Sequence, residues 1–227
     1  MIAGKSIPAE WAAKCFGFVQ EVDTKPRRRV FEVFRSQGLH ANQAVEFFAD
    51  GAPVLRSLTS YLSAESTHIL DWFHLTMLHQ YALGVAQVDT AGGKAMQEGL
   101  TSIKWYIRHG NAERALERIL DMDDTLATHQ DNPLVDKKYS KWKPLARLIA
   151  DFYTCVEQSS SFVMDYAERQ RYGERVSTGV VESAVNQVLA KRMVKRQQMQ
   201  WTKKGAHLLV QAHTKVLNQE WEDCFRQ

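Results

Sequence analysis

The chain has 227 residues, with 44% apolar and 24% charged side chains and a formal net charge of +3. That is an ordinary globular composition of one large or two small domains, and it excludes a polycation, a low-complexity chain and a collagen-like repeat. Three cysteines (Cys15, Cys155, Cys224) stand far apart with no C-x-x-C pair, so neither a zinc knuckle nor a disulfide framework is indicated and a reducing cytoplasm is the expected compartment.

In chain order, the N-terminus enters a β-like segment at once and has no secretory apolar region. Cys15-Phe16-Gly17-Phe18-Val19 is short and apolar and predicts a buried strand. Pro26 opens a helical pattern whose apolar face is Val30, Phe31, Val33 and Phe34, closed by Gly38. Residues Ala44–Ala49 predict a second strand, ending at Asp50-Gly51. A helix is expected from Pro53 to about Leu62, then a short strand at His68-Ile69-Leu70 running into Asp71-Trp72-Phe73-His74. This alternation argues an α/β layer.

Beyond Asp71 the strand signals vanish. Helical periodicity marks Phe73–Val85, Met96–Ile107, Ala112–Leu126, Trp142–Val156 and Phe162–Arg169. His109-Gly110-Asn111 reads as a helix stop and restart, and Asp131-Asn132-Pro133 as a loop. A long helix is expected from Ser177, returning to the α/β layer. No apolar run approaches the roughly 20 residues that span a bilayer, so no membrane partner is expected.

The candidate chemistry is carried by a few residues. Asp50 ends an apolar strand, the place where open α/β sheets hold ligands and where a carboxylate suits Mg²⁺. Asp-Gly is equally a common turn dipeptide. Asp71 and His74, at i and i+3, share a face of a helix start, where they could bind a metal or orient a phosphate. Alternatively, Asp71 is an N-cap and His74 a core histidine. Glu182 lies near the start of the C-terminal helical block, where the helix macrodipole also favours an acid.

After Glu182 no acidic residue occurs until Glu220, while Lys191, Arg192, Lys195, Arg196, Lys203, Lys204 and Lys215 fall in the gap. Amides, among them Gln198, are interleaved with these cations. Lys and Arg neutralise phosphates, and that dominates nucleic-acid affinity. A solvated charged face is the competing reading. Trp201, between Gln200 and Lys203, is the aromatic residue best placed to stack on a base.

Several of these segments, in order along nearly the whole chain, resemble a group of bacterial insertion-sequence transposases that are distant relatives of the Mutator transposases. They are KPRRRVFEVFRSQG, FFADGAPVLRSL, HILDWFHLTMLHQYALGV, SIKWYIRHGN and STGVVESAVNQVLAKRMVKRQQMQWTKKGAHLLVQAHTKVLN. The last is long enough to be specific. The resemblance implies an RNase H-like core with an Asp-Asp-Glu metal triad, interrupted by a large all-helical insertion. Its second Asp falls on Asp50 and its Glu on Glu182. The C-x-x-H motif of Mutator relatives falls on Asp71-Trp72-Phe73-His74, with Asp in place of Cys, which makes Asp71 and His74 supporting residues.

The resemblance further implies a division into residues 1–74 (first part of the core), 75–172 (the helical insertion) and 173–227 (the C-terminal part of the core, carrying the Glu). It places the triad's first Asp on a strand upstream of Ile2-Ala3-Gly4-Lys5, so the core is expected to be incomplete, lacking its first strand. The implied activity is DNA transposition, by strand cleavage and transfer with two Mg²⁺ or Mn²⁺ ions. With one ligand missing, this chain is expected not to cleave DNA. The implied partners are the element's terminal repeats and target DNA, bound as a homo-oligomer, with a cytoplasmic, nucleoid-associated location. The rival readings are a non-catalytic DNA-binding transposase remnant and a helical interaction protein without nucleic acid.

Overall fold

The structure is a computed structural model, and it describes all residues except 41–42, 52, 64, 87–90, 131–141, 180–187, 189–200 and 227. The described chain is a mixed α/β protein, mostly helical, with two two-stranded sheets. Its strands are β1 (Ile2–Ser6), β2 (Lys14–Phe18), β3 (Val45–Ala49) and β4 (Ser66–Leu70). Its α-helices are α1 (Pro26–Arg35), α2 (Pro53–Leu62), α3 (Trp72–Ala86), α4 (Ala91–Arg108), α5 (Ala112–Gln130), α6 (Trp142–Gln158), α7 (Tyr166–Arg171) and α8 (Lys203–Leu217). No helix among the described residues is long and apolar enough to cross a membrane.

The chain forms two compact units. The first comprises Met1–Val45, Ser57–Thr67 and Gly179–Gln227; the second comprises Glu46–Arg56 and His68–Thr178.

In the first unit β1 and β2 pair antiparallel, from Ile2 opposite Phe18 to Ser6 opposite Lys14. Helix α1 starts on Pro26 and buries Val30 and Phe34, which recur at helical spacing. It stops at Gly38, whose φ of 83° lies in the left-handed region that glycine adopts without strain. The other edge of β2 is covered by polar side chains of α8. Asn218 accepts the Cys15 N–H at 2.8 Å and donates to the Cys15 carbonyl at 2.9 Å. Gln211 donates to the Gly17 carbonyl, and the Val19 N–H donates to His207 Nδ1 at 3.2 Å. Alternate backbone groups of an edge strand are thus satisfied by one helix face rather than by a further strand.

The second unit is built on apolar helix faces. Leu75, Leu100, Ile103, Ile107, Ile119, Leu126, Leu145 and Ile149 are all essentially fully buried in one cluster with Ile69 and Leu70 of β4. Each such side chain contributes roughly 1.5–3 kcal/mol of transfer free energy. Helices α4 and α5 turn back on each other at His109-Gly110-Asn111. Gly110 has a φ of 72°, and the Asn111 side chain accepts the Arg114 N–H at 3.2 Å as a cap. A β-carbon on Gly110 would lie 3.1 Å from the Asp165 nitrogen, so turn geometry and close approach both require glycine. Asp165 then caps α7 by accepting the Glu168 N–H at 2.8 Å.

The expected elements agree with the observed ones up to α7, with two shifted starts: α4 begins at Ala91 rather than Met96, and α7 begins late. Phe162 belongs to a short 3-10 turn, Ser160–Phe162, and α7 begins only at Tyr166. Of the long helix expected from Ser177, Gly179 is helical, and residues 180–187 and 189–200 lie outside the described residues. Ser177 and Thr178 are not helical, because Val176 and Thr178 spend their backbone groups on the start of α3. The Trp72 N–H donates to the Val176 carbonyl at 3.2 Å and the Thr178 N–H to Asp71 at 2.9 Å. A separate helix, α8, starts after Thr202, whose hydroxyl caps it by accepting the Gly205 N–H at 3.0 Å.

Candidate functional site

Strands β3 and β4 are hydrogen-bonded neighbours. The residue that follows β4, Asp71, donates its N–H to the carbonyl of Ala49, the last residue of β3, at 2.9 Å. The C-terminal ends of the two strands therefore lie side by side, each followed by an aspartate. The fates of the two carboxylates differ.

Asp50 is exposed. The next residue, Gly51, is buried with a φ of 87°, and a β-carbon there would sit 2.6 Å from Ser159 Oγ and 3.3 Å from Leu70 Cδ1. Glycine is thus demanded twice, by conformation and by space, and the tight turn leaves Asp50 at the rim. The thiol of Cys155, in α6, titrates above its ordinary range, first because it is buried and second because of the Asp50 charge.

Asp71 is buried and its carboxylate is fully engaged. Oδ1 accepts the Phe73 N–H at 3.0 Å and the Thr178 N–H at 2.9 Å, and Oδ2 accepts the Thr178 hydroxyl. The side chain is at once a cap for α3 and a clamp on a segment 107 residues away. The carbonyl of Leu70, just before it, accepts the buried Tyr166 hydroxyl at 2.8 Å. Burial drives the Tyr166 phenol far above its ordinary pKa, and the Asp71 charge adds to that rise. The Tyr166 ring lies against Trp72 at 5.1 Å between centroids. His74 stands half-exposed in the first turn of α3.

Of the other expected residues, Glu182, Lys191, Arg192, Lys195, Arg196 and Gln198 lie outside the described residues. Trp201, Lys203 and Lys204 are exposed at the start of α8. Lys203 pairs with Glu21. Among the described residues no group of three or more His, Cys, Asp or Glu side chains could hold a metal ion.

Sequence reasoning missed Thr178, Tyr166 and Ser159. The first has a faint signal, a Ser-Thr-Gly run that favours local side-chain bonding; the other two have none. Asp23, which reads as a loop residue, is also buried. It accepts the Lys25 N–H at 3.0 Å and pairs with Arg29 at 2.5 Å. Burial alone would raise its pKa, but Arg29 and the Lys25 N–H outweigh that and lower it.

No family model, no curated protein and no solved structure matches the chain.

Proposed function

We propose that this chain carries part of the catalytic apparatus of an Asp-Asp-Glu transposase, an RNase H-like core interrupted by the helices of the second unit. In this reading Asp50 and Glu182 are metal-ligating carboxylates, the ions are Mg²⁺ or Mn²⁺, and the C-terminal cations contact DNA phosphates. The sequence resemblance is the main support. The observation that carries the reading is Asp50 itself, an exposed carboxylate at the joined ends of two paired strands, beside a glycine the turn cannot replace.

The donor set fits a hard cation in part. Asp50 offers oxygen ligands of the kind Mg²⁺ takes. Asp71 does not, because Phe73 and Thr178 occupy both its oxygens. Its role in this reading is structural, capping α3 and bonding Thr178. Bound metal would supply Lewis-acid stabilisation of the scissile phosphate and an activated attacking oxygen. The non-catalytic DNA-binding reading shares the exposed Trp201, Lys203 and Lys204 and dispenses with Asp50.

Mn²⁺ binding, followed by electron paramagnetic resonance and calorimetry, separates the roles. Asp50→Asn is expected to weaken Mn²⁺ binding by about tenfold or more, each 1.4 kcal/mol lost being tenfold, and to leave the melting temperature unchanged. Asp71→Asn is expected to do the reverse, because it breaks a buried charged hydrogen-bond set worth on the order of 2–3 kcal/mol. Equal Mn²⁺ binding by wild type and Asp50→Asn overturns the catalytic reading.

A further inference from the structure

The β1–β2 sheet has two edges, and only one of them is covered. Its register runs unbroken from Ile2 opposite Phe18 to Ser6 opposite Lys14. In an antiparallel pair, successive residues turn their backbone groups alternately toward and away from the partner strand. The Cys15 N–H, the Cys15 carbonyl and the Gly17 carbonyl point away from β1, where side chains of α8 bond them. The residues opposite Cys15 and Gly17 are Lys5 and Ala3. By the same alternation, Ala3 and Lys5 turn their N–H and carbonyl groups outward, to the far edge of β1. Among the described residues no hydrogen bond reaches the backbone of either one.

Unpaired groups on alternate residues are a template for a further strand. Little in β1 blunts that template. The strand holds no proline and no bulge, its one charged residue is Lys5, and all five residues keep part of their surface accessible. Its own sequence fits the edge. In an antiparallel copy centred on Gly4, Ala3 stands opposite Lys5 of the second copy, and Lys5 opposite Ala3. Each of these two pairs exchanges both N–H···O bonds, so every outward group finds a partner. The two lysines then lie diagonal to each other, whereas a register centred on Lys5 would set like charges directly opposite. The two glycines meet at the centre, in the closer spacing of a non-hydrogen-bonded pair. A β-carbon on Gly4 would run into the half-buried ring of Phe16, so that ring lies over the glycine. Pairing at Gly4 brings the two Phe16 rings together on one face and adds apolar contact to the backbone bonds.

We propose that the free edge of β1 pairs antiparallel with the same edge of a second copy of this chain, centred on Gly4. The product is one continuous sheet, β2–β1–β1–β2, across a two-fold axis. The pairing follows from backbone geometry and is independent of the transposase reading.

The test is sedimentation velocity of the full chain over a wide concentration series, with amide hydrogen exchange followed by nuclear magnetic resonance. Wild type is expected to pass from monomer to dimer as concentration rises, because so small an interface is a weak one. The Ala3 and Lys5 amides are expected to exchange freely when dilute and to become protected when concentrated. The Gly4 amide, turned toward β2, is expected to stay protected throughout. Lys5→Pro removes one outward N–H and leaves the bonds to β2 in place. It deletes half of the intermolecular bonds and is expected to weaken association on the order of tenfold or more. Lys5→Ala keeps the N–H and is expected to associate as well as wild type or better, since the diagonal cations are gone. Equal weakening by both variants overturns the proposal, because a side chain would then carry the contact. A chain that stays monomeric at every concentration overturns it. So does a dimer whose Ala3 and Lys5 amides still exchange freely, since that dimer uses another surface. Protection of both amides at every dilution also overturns it, because the edge is then covered within a single chain. Should Lys5→Pro fail to fold, the concentration dependence of exchange in wild type decides alone.

Discussion

Each of the two compact units has an apolar interior, but the first adds polar bonds to backbone that the second uses less. The second unit closes over a large apolar cluster of helix faces, from Leu75 through Ile149 to Tyr166. In the first, Phe18, Val30, Phe34, Leu58, Leu62 and Val210 are buried as well, and side chains bonded to backbone add a second source of order. Asn218, Gln211 and His207 cover the edge of β2, and Gln37 donates to the Ala12 carbonyl at 2.6 Å. Apolar burial is non-directional and tolerates small shifts, whereas an amide that must both accept and donate at Cys15 fixes register to a fraction of an ångström.

The sharpest way to break this comparison is to open the apolar cluster. Leu100→Ala should destabilise the protein by about 2–5 kcal/mol, the range for a fully buried leucine, as measured by urea unfolding. A loss under about 1 kcal/mol would show that the second unit is not held by its core.

Acid provides the next test. His79 is almost fully buried in α3, and neither ring nitrogen has a hydrogen-bond partner of ordinary geometry among the described residues. Burial, and after it the nearby Lys104 charge, lower its pKa to about 4, against a weak approach to the Leu100 backbone. The folded pKa therefore lies below the unfolded value of about 6.5. Stability from neutral His79 is present above that unfolded value and is lost progressively as pH falls toward 4. The expected loss is about 2–3 kcal/mol between neutral pH and pH 4, at 1.36 kcal/mol per unit. His79→Leu should remove that part of the acid sensitivity; an unchanged stability profile would locate the sensitivity elsewhere.

The smallest effect belongs to the polar edge. Asn218→Ala removes both bonds to Cys15 and should cost about 1–2 kcal/mol. Asn218→Asp keeps the acceptor and loses the donor, so it should not rescue. Hydrogen exchange at the Cys15 amide is the direct readout, and protection equal to wild type in both variants would mean the edge is held by something else.

By itself the sequence determined most of the elements and named Asp50 as a candidate residue. Period-3.6 burial made α4 to α6 legible because their buried faces are largely apolar, and Pro26, Gly38 and Gly110 marked boundaries through backbone conformation. Asp50 was legible as a candidate because a strand followed by Asp-Gly ends in a turn, and the structure leaves its side chain exposed. Only the tertiary structure decided that Asp71 is a buried clamp rather than an open ligand, since its partner Thr178 stands 107 residues away and nothing in the local pattern names it. The same holds for the cap on β2, whose donors and acceptors no spacing connects. Hydrogen bonds between distant segments leave no periodicity in the chain, because each uses a single side chain at one point of contact. Apolar faces repeat because a helix must bury the same side turn after turn.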